Sequence, residues 1–397
     1  MEEIINKNKM LKTIFINVTA AEYGGALTIL KSILTDISKN DITNLYYVFT
    51  SIDLDEFEKE NIKIINTIKG KKSRKRLDRI LWDSNGLQKW SVDNNIYADI
   101  ILSLQNTGVK YNKKTRQIIY LHQPLPFETE YKWRPWKKEE RIYWLYKNIY
   151  PYFIKRFMDE NTILIVQQNW LKNKVIEKFD IDKKNVKVIP PKVSFPEVSQ
   201  QHSDGNIKAH DIQDRDNIIL FYPASPYVYK NHSIIIDSII KIKNENPNLY
   251  SKLRVYFTVR LDELTMETSK KVSRNSLENI IFLGAIKPSE VVDYYNKSLV
   301  VIFPSYIETF GLPLLEAASF GKKIICSDTS FSREILRDYV GVTFVKYNDV
   351  KMWTNQICKL DTYIEKKYEY TYNALKDYDS VYELLKEYFS SAGDDLI

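Results

Sequence analysis

Two carboxylates with seven residues between them frame the stretch FPSYIETFGLPLLEAASFGKKIICSD at 303–328, the part of the chain with the most chemistry to offer. A β-branched run precedes them, and Gly311 and Pro313 place a helix start between them, so Glu308 sits on a loop and Glu316 one turn into a helix. Proline suits a first helical turn, where its missing N–H has no partner to lose, and Phe310, Gly311 and Leu312 then offer backbone N–H groups to an anion. The expected ligand is diphosphate-sized, flanked by hydroxyls that the two carboxylates accept hydrogen bonds from.

Further candidates lie at the ends of other apolar runs. Lys230, in FYPASPYVYKNHS, precedes a helix and is placed to neutralise a phosphate leaving group. His122, in IIYLHQPLPF, ends a run before two prolines and is expected to offer one hydrogen bond near a reacting group as a neutral imidazole. Gly24 and Gly25 follow the first apolar run and permit close approach of backbone to ligand. They do not complete G-x-G-x-x-G, which counts against a nicotinamide-dependent dehydrogenase. The chain has 2 cysteines, Cys326 and Cys358, and 4 histidines, with no metal-ligand spacing among them.

The elements that must carry these groups are legible as short β-branched runs alternating with helical patterns. Runs at 13–18, 45–49, 62–65, 99–104, 117–121, 162–166 and 186–189 predict one parallel sheet. A second set at 217–222, 253–259, 280–283, 299–303, 323–326 and 342–345 predicts another. The 397 residues suit two domains: 1–195, a polar linker at 196–216, 217–377, and a terminal helix at 378–397 that could pack back on the first domain. The fold class is therefore α/β with two Rossmann-like doubly wound domains, whose ligands belong beyond the carboxyl ends of the strands. With 44% hydrophobic and 27% charged residues, disorder and fibrous structure are excluded. The polar start, MEEIINKNKM, and the lack of a long apolar run predict no membrane span, and the two unpaired cysteines suit a reducing cytoplasm, the expected location being cytoplasmic or peripheral on the inner membrane face.

The arrangement strand-P-S-x-x-E-x-F-G-x-P-x-x-E-A resembles the E-x7-E signature of the retaining glycosyltransferases of family 4, which have the two-domain GT-B fold with a cleft between the domains. The resemblance implies that Glu308 holds donor-sugar hydroxyls, Glu316 the nucleotide ribose, and Phe310 to Leu312 the sugar and phosphate. It also implies that Gly284 and Ile286 pass the base, that Gly24 and Gly25 lie between donor phosphates and acceptor, and that the chain needs no metal or other cofactor. VQQNWLKNKV at 166–175 is similar to a further segment of the family. The family usually has an arginine five or six residues before Lys230, where this chain has Ser225 and Ala224. Either Lys230 acts alone, or another cation such as Arg260 supplies part of the field.

The net charge of +7 is unevenly spread: seven basic residues fall within 69–79, and 131–157 mixes ten aromatics with eight basic residues. Such mixtures favour an anionic membrane surface, with nucleic acid as the competing partner and a solvated face as the plain alternative. No nucleic-acid module is visible. The expectation is a retaining glycosyltransferase moving a sugar from a nucleotide-diphosphate sugar to a glycan or lipid-linked oligosaccharide acceptor in surface-polysaccharide synthesis. A nucleotide-sugar epimerase of the same fold, or a non-catalytic membrane or nucleic-acid adaptor, is the alternative.

Overall fold

The computed structural model describes residues 11–19, 25–67, 75–112, 114–192 and 217–390. The linker expected at 196–216, Gly24, and Lys71, Lys72 and Arg74 of the basic run lie outside them. The chain divides into two compact units: Met1–Pro135, Arg141–Lys192 and Leu375–Ile397 make one, Trp136–Glu140 with Val193–Ala374 the other.

The first unit is built on seven parallel strands: β1 (Thr13–Asn17), β2 (Leu45–Thr50), β3 (Ile62–Asn66), β4 (Ile100–Ser103), β5 (Arg116–Tyr120), β6 (Ile163–Val166) and β7 (Val186–Val188). Their order is β3-β2-β1-β4-β5-β6-β7. A strand covered on both faces must be apolar throughout, and β1 shows how the period of two sorts its residues. Ile14 and Ile16 pack with Leu30, Ile33, Leu34 and Ile37 of helix Gly25–Asn40, while Phe15 faces the other way, towards Phe49 and Leu87.

The last helix, Val381–Ser390, adds Val381, Tyr382, Leu384, Leu385 and Phe389 to the first of these clusters, and Tyr382 donates to the Asn40 carbonyl at 3.0 Å. The chain leading into it is already anchored. Asp377 Oδ2 accepts from the Val188 N–H at 2.7 Å and from Lys172 Nζ at 2.9 Å, and Asn169 donates to the Leu375 carbonyl at 3.1 Å. These polar ties place the unit boundary at Leu375, three residues before the start expected from apolar spacing alone.

The second unit has six parallel strands: β8 (Ile218–Tyr222), β9 (Leu253–Phe257), β10 (Ile280–Phe282), β11 (Val300–Phe303), β12 (Lys323–Ser327) and β13 (Val342–Val345). Their order is β10-β9-β8-β11-β12-β13. In each sheet the direction of strand addition reverses once, between β1 and β4 and between β8 and β11, and ligands of such sheets bind beyond the strand ends at that reversal.

Candidate active site

Lys230 and Glu308 come from the two loops that flank the reversal in the second unit. Lys230 follows β8 and Glu308 follows β11, strands that are hydrogen-bonded neighbours with Val300 beside Leu220. The Tyr306 N–H ties the loops together by donating to the Tyr229 carbonyl at 3.1 Å, with Ser305 Oγ 3.4 Å from the same carbonyl, and the buried Tyr222 hydroxyl braces the first loop by donating to the Lys230 carbonyl at 2.7 Å. Asn231, at φ 60°, turns the chain into helix His232–Glu245 while its amide donates to the Tyr347 carbonyl at 2.7 Å. Asparagine tolerates the left-handed region better than most residues.

The result is a direct ion pair between Lys230 Nζ and Glu308 Oε1, with side chains 13% and 14% exposed. The Ser305 hydroxyl donates to Glu308 Oε1 at 2.8 Å. Each of these shielded side chains is the other's partner, and removing either one leaves a polar group shielded from water without it.

Glu316 lies in helix Leu312–Ser319 and is partly buried. Burial pushes its carboxyl above the usual carboxylate range, opposed by the hydrogen bond from Tyr295. The Tyr295 hydroxyl, 2.9 Å from Oε2, also lies 3.2 Å from the Pro313 carbonyl, so one buried phenol sets both the carboxylate and the helix entrance. Gly311 caps that helix at φ 94°, ψ 47°, and Pro313 follows in the first turn. The N–H groups of Gly311 and Leu312 have no hydrogen-bond partner among the described residues. Phe310 is buried, its ring edge-on to Tyr372 at 5.9 Å.

Gly284, at φ 70°, lies against Arg260, whose Cγ would be 3.2 Å from an added Cβ. Ile286 is half-buried two residues on. Arg260 is exposed and paired with Asp262 and Glu263 of its own turn, both at 3.1 Å, and among the described residues no ion pair joins it to Glu308. Its charge is thus matched locally. Ala224, one of the positions where an arginine is usual, is latched to Thr258 by its N–H at 2.9 Å.

In the first unit, Gly25 opens an exposed helix start where an added Cβ would meet nothing within 4 Å. The His122 ring stacks on Tyr120 at 4.5 Å, and its Nε2 lies 2.9 Å from the Leu104 carbonyl. Burial pushes its pKa down to about 4, against the Leu104 bond, so the ring is neutral. With Nε2–H donating to Leu104, the buried Nδ1 is an acceptor without a partner among the described residues.

Sequence spacing gave no sign of the network at the β1–β4 reversal. Asp83 Oδ1 accepts from Asn17 at 3.1 Å and Gln105 at 2.6 Å, and Oδ2 from Thr107 at 3.0 Å. Burial raises its pKa to about 6, with Arg79 the largest opposing influence. Asp83 sits in one turn of π-helix, Trp82–Gly86, where the Trp82 indole donates to Asn17 Oδ1 at 3.1 Å. An added Cβ on Gly86 would lie 2.7 Å from that indole. Tyr295 and Asn17 escaped sequence reading for the same reason, their partners being distant in sequence, whereas Ser305 stands three residues before Glu308 in the P-S-x-x-E arrangement that could have pointed to it. Among the described residues, no group of three or more His, Cys, Asp or Glu side chains is arranged to hold a metal, and no helix is long and apolar enough to cross a membrane.

Residues 203–377 match the family of glycosyl transferases group 1. The O-antigen chain mannosyltransferase RfbU of Salmonella typhimurium is 22% identical over 227 residues, 56% of this chain and 58% of that protein. The chain thus spans about three fifths of the length of the curated relatives it matches first. WaaG, a glycosyltransferase involved in lipopolysaccharide biosynthesis, shares the fold with a TM-score of 0.61 at 12% identity, over 88% of this chain and 90% of that one. Anabaena HepE in complex with UDP and glucose has a TM-score of 0.58 at 15% identity, over 89% and 90%. The E-x7-E segment lies inside the part of the chain that is similar to the glycosyl transferases group 1, residues 203–377, and the two doubly wound units have the GT-B fold.

Proposed function

We propose that the protein is a retaining, metal-independent glycosyltransferase of family 4 that moves a sugar from a nucleotide diphosphate to a glycan acceptor carried on a lipid, working in the cytoplasm at an anionic membrane face. The observation that carries this reading is the Lys230–Glu308 pair at the β8–β11 reversal, beside a helix whose Gly311 and Leu312 N–H groups have no partner among the described residues. A diphosphate arriving there takes Lys230 and the helix N-terminus as its counter-charges, and Glu308 turns to the sugar hydroxyls. Glu316, held by Tyr295, accepts from the ribose. Gly284 and Ile286 border the base.

In the reaction the bond from the anomeric carbon to the diphosphate oxygen breaks, and the acceptor oxygen bonds to the same face. Its proton passes to the departing diphosphate, whose growing charge Lys230 stabilises.

RfbU is named as acting on O-antigen chains and WaaG as acting in lipopolysaccharide biosynthesis, which supports a surface-polysaccharide acceptor. Exposed Ile142, Leu145, Ile149 and Tyr152 support contact with lipid. The test incubates uridine, guanosine and adenosine diphosphate sugars, mannose and glucose first, with lipid-linked oligosaccharides in the presence of EDTA. NMR then reads the new anomeric centre. Product that keeps the donor's configuration is expected. Inverted product, or dependence on a divalent ion, would overturn the mechanism, and nucleotide binding without transfer would favour an epimerase or a non-catalytic role.

A further inference from the structure

The first unit contains a pocket of about 460 Å³ that the donor site does not use, within the roughly 300–1,000 Å³ typical of small-molecule sites. Ile80, Ile142, Leu145, Ile149, Phe153 and Phe157 supply its apolar lining. Helix Arg141–Asn148 explains how it arises. Ile142, Leu145, Tyr146 and Ile149 follow the spacing of a stripe meant for a core, yet no residue of that helix is buried. Ile142, Leu145 and Ile149 are 37%, 41% and 44% exposed, and Ile80 beside them 41%. Apolar side chains gathered around an open cavity are a ligand surface more often than an accident of packing.

The polar residues say which ligand. Asp83 reaches the lining but is engaged by Asn17, Gln105 and Thr107, so it does not call for sugar hydroxyls. Arg79 donates through Nη2 to the Gln105 carbonyl at 2.6 Å, which fixes the guanidinium and leaves Nε and Nη1 without hydrogen bonds among the described residues. Arg156, exposed, lies over the Phe157 ring at 4.8 Å. Two guanidiniums thus border the apolar lining, with one carboxylate whose oxygens are taken up by Asn17, Gln105 and Thr107.

We propose that this pocket binds one molecule of a lipid phosphate, its apolar chain against Ile142, Leu145, Ile149 and Phe153 and its phosphate on Arg79 and Arg156. The inference deepens the proposed function, on which it rests for the ligand's role: the lipid carrying the glycan acceptor is gripped as a single chain.

Decyl phosphate below its critical micelle concentration is the probe, with decanol and inorganic phosphate as controls and uridine, guanosine and adenosine diphosphates measured separately, all by calorimetry on the full chain. Decyl phosphate is expected to bind one to one, at least tenfold tighter than either control. Leu145→Glu and Ile149→Glu, both at exposed positions, should weaken it tenfold or more, and Arg156→Glu severalfold, with the thermal midpoint and the affinity for whichever nucleoside diphosphate binds unchanged as a check on folding. No binding, equal binding of decanol, or multiple adsorption insensitive to both glutamate variants would overturn the pocket. Decyl phosphate bound as expected with no binding of uridine, guanosine or adenosine diphosphate would uphold the pocket and refute the donor site instead.

Discussion

The Lys230 ammonium and the Glu308 carboxylate, 78 residues apart in the chain, meet as an ion pair whose carboxylate is also held by Ser305. Their proximity follows from two adjacent strands that end beside each other, and it makes each residue the control for the other.

Lys230→Met alone, or Glu308→Gln alone, leaves one shielded charge without its partner and should destabilise the fold, whereas the double variant should cost less than the sum. The coupling expected of such neighbours is about 0.5–3 kcal/mol, read by urea unfolding. Turnover should behave differently. Lys230→Met should lower it by roughly a hundredfold or more, the scale of removing one preorganised electrostatic group, and the double variant should not recover it. Additive stabilities, or turnover within twofold of wild type, would remove the pair from both roles.

Glu316→Gln should separate binding from stability. Burial raises the Glu316 pKa, so its ionised form is less favourable folded than unfolded, and that cost grows as pH rises through the carboxylate range. The amide should therefore leave the thermal midpoint at pH 7 unchanged or higher. Affinity for a nucleoside diphosphate should fall by the worth of a charge-assisted hydrogen bond, about 1.5–3 kcal/mol. A lower midpoint with unchanged affinity would make Glu316 a structural residue only.

Acid should unfold the protein partly through two buried histidines. Burial pushes His122 down to about 4 and His232, held between Tyr222 and Phe257, down to about 3. Both folded values lie below the unfolded one, so the unfolded chain takes up protons first and stability falls as pH drops from near 6.5 towards 4. Each histidine contributes a slope of up to about 1.4 kcal/mol per pH unit. Urea unfolding of His232→Phe between pH 7 and 4.5 should show a shallower loss than wild type; parallel curves would refute this origin.

Gly311→Ala tests the helix entrance. At φ 94° a Cβ is strained by roughly 1–2 kcal/mol, and it would also come within 3.4 Å of Phe331. A lower thermal midpoint and weaker binding of nucleoside diphosphate are expected together, since the same backbone presents the free N–H groups. Full binding by a destabilised variant would show that the helix N-terminus does not touch the ligand.

The sequence by itself determined the strands and the loop–helix placement of the two glutamates. Each strand expected from a β-branched run is present to within a residue or two, because strands buried on both faces must be apolar along their whole length, as Ile14, Phe15 and Ile16 are. Gly311 and Pro313 likewise announced the helix start through local backbone preference. What the sequence could not disclose is which strand lies beside which. The order β9-β8-β11 brings Lys230 to Glu308, and β1-β4 brings Asn17 and Gln105 to Asp83. Tyr295 reaches Glu316 from another helix, and helix Arg141–Asn148 keeps its apolar stripe open to a pocket. Local propensity acts over a few residues and leaves its mark in spacing, whereas these partners meet only when the sheets assemble, so tertiary structure alone decided them.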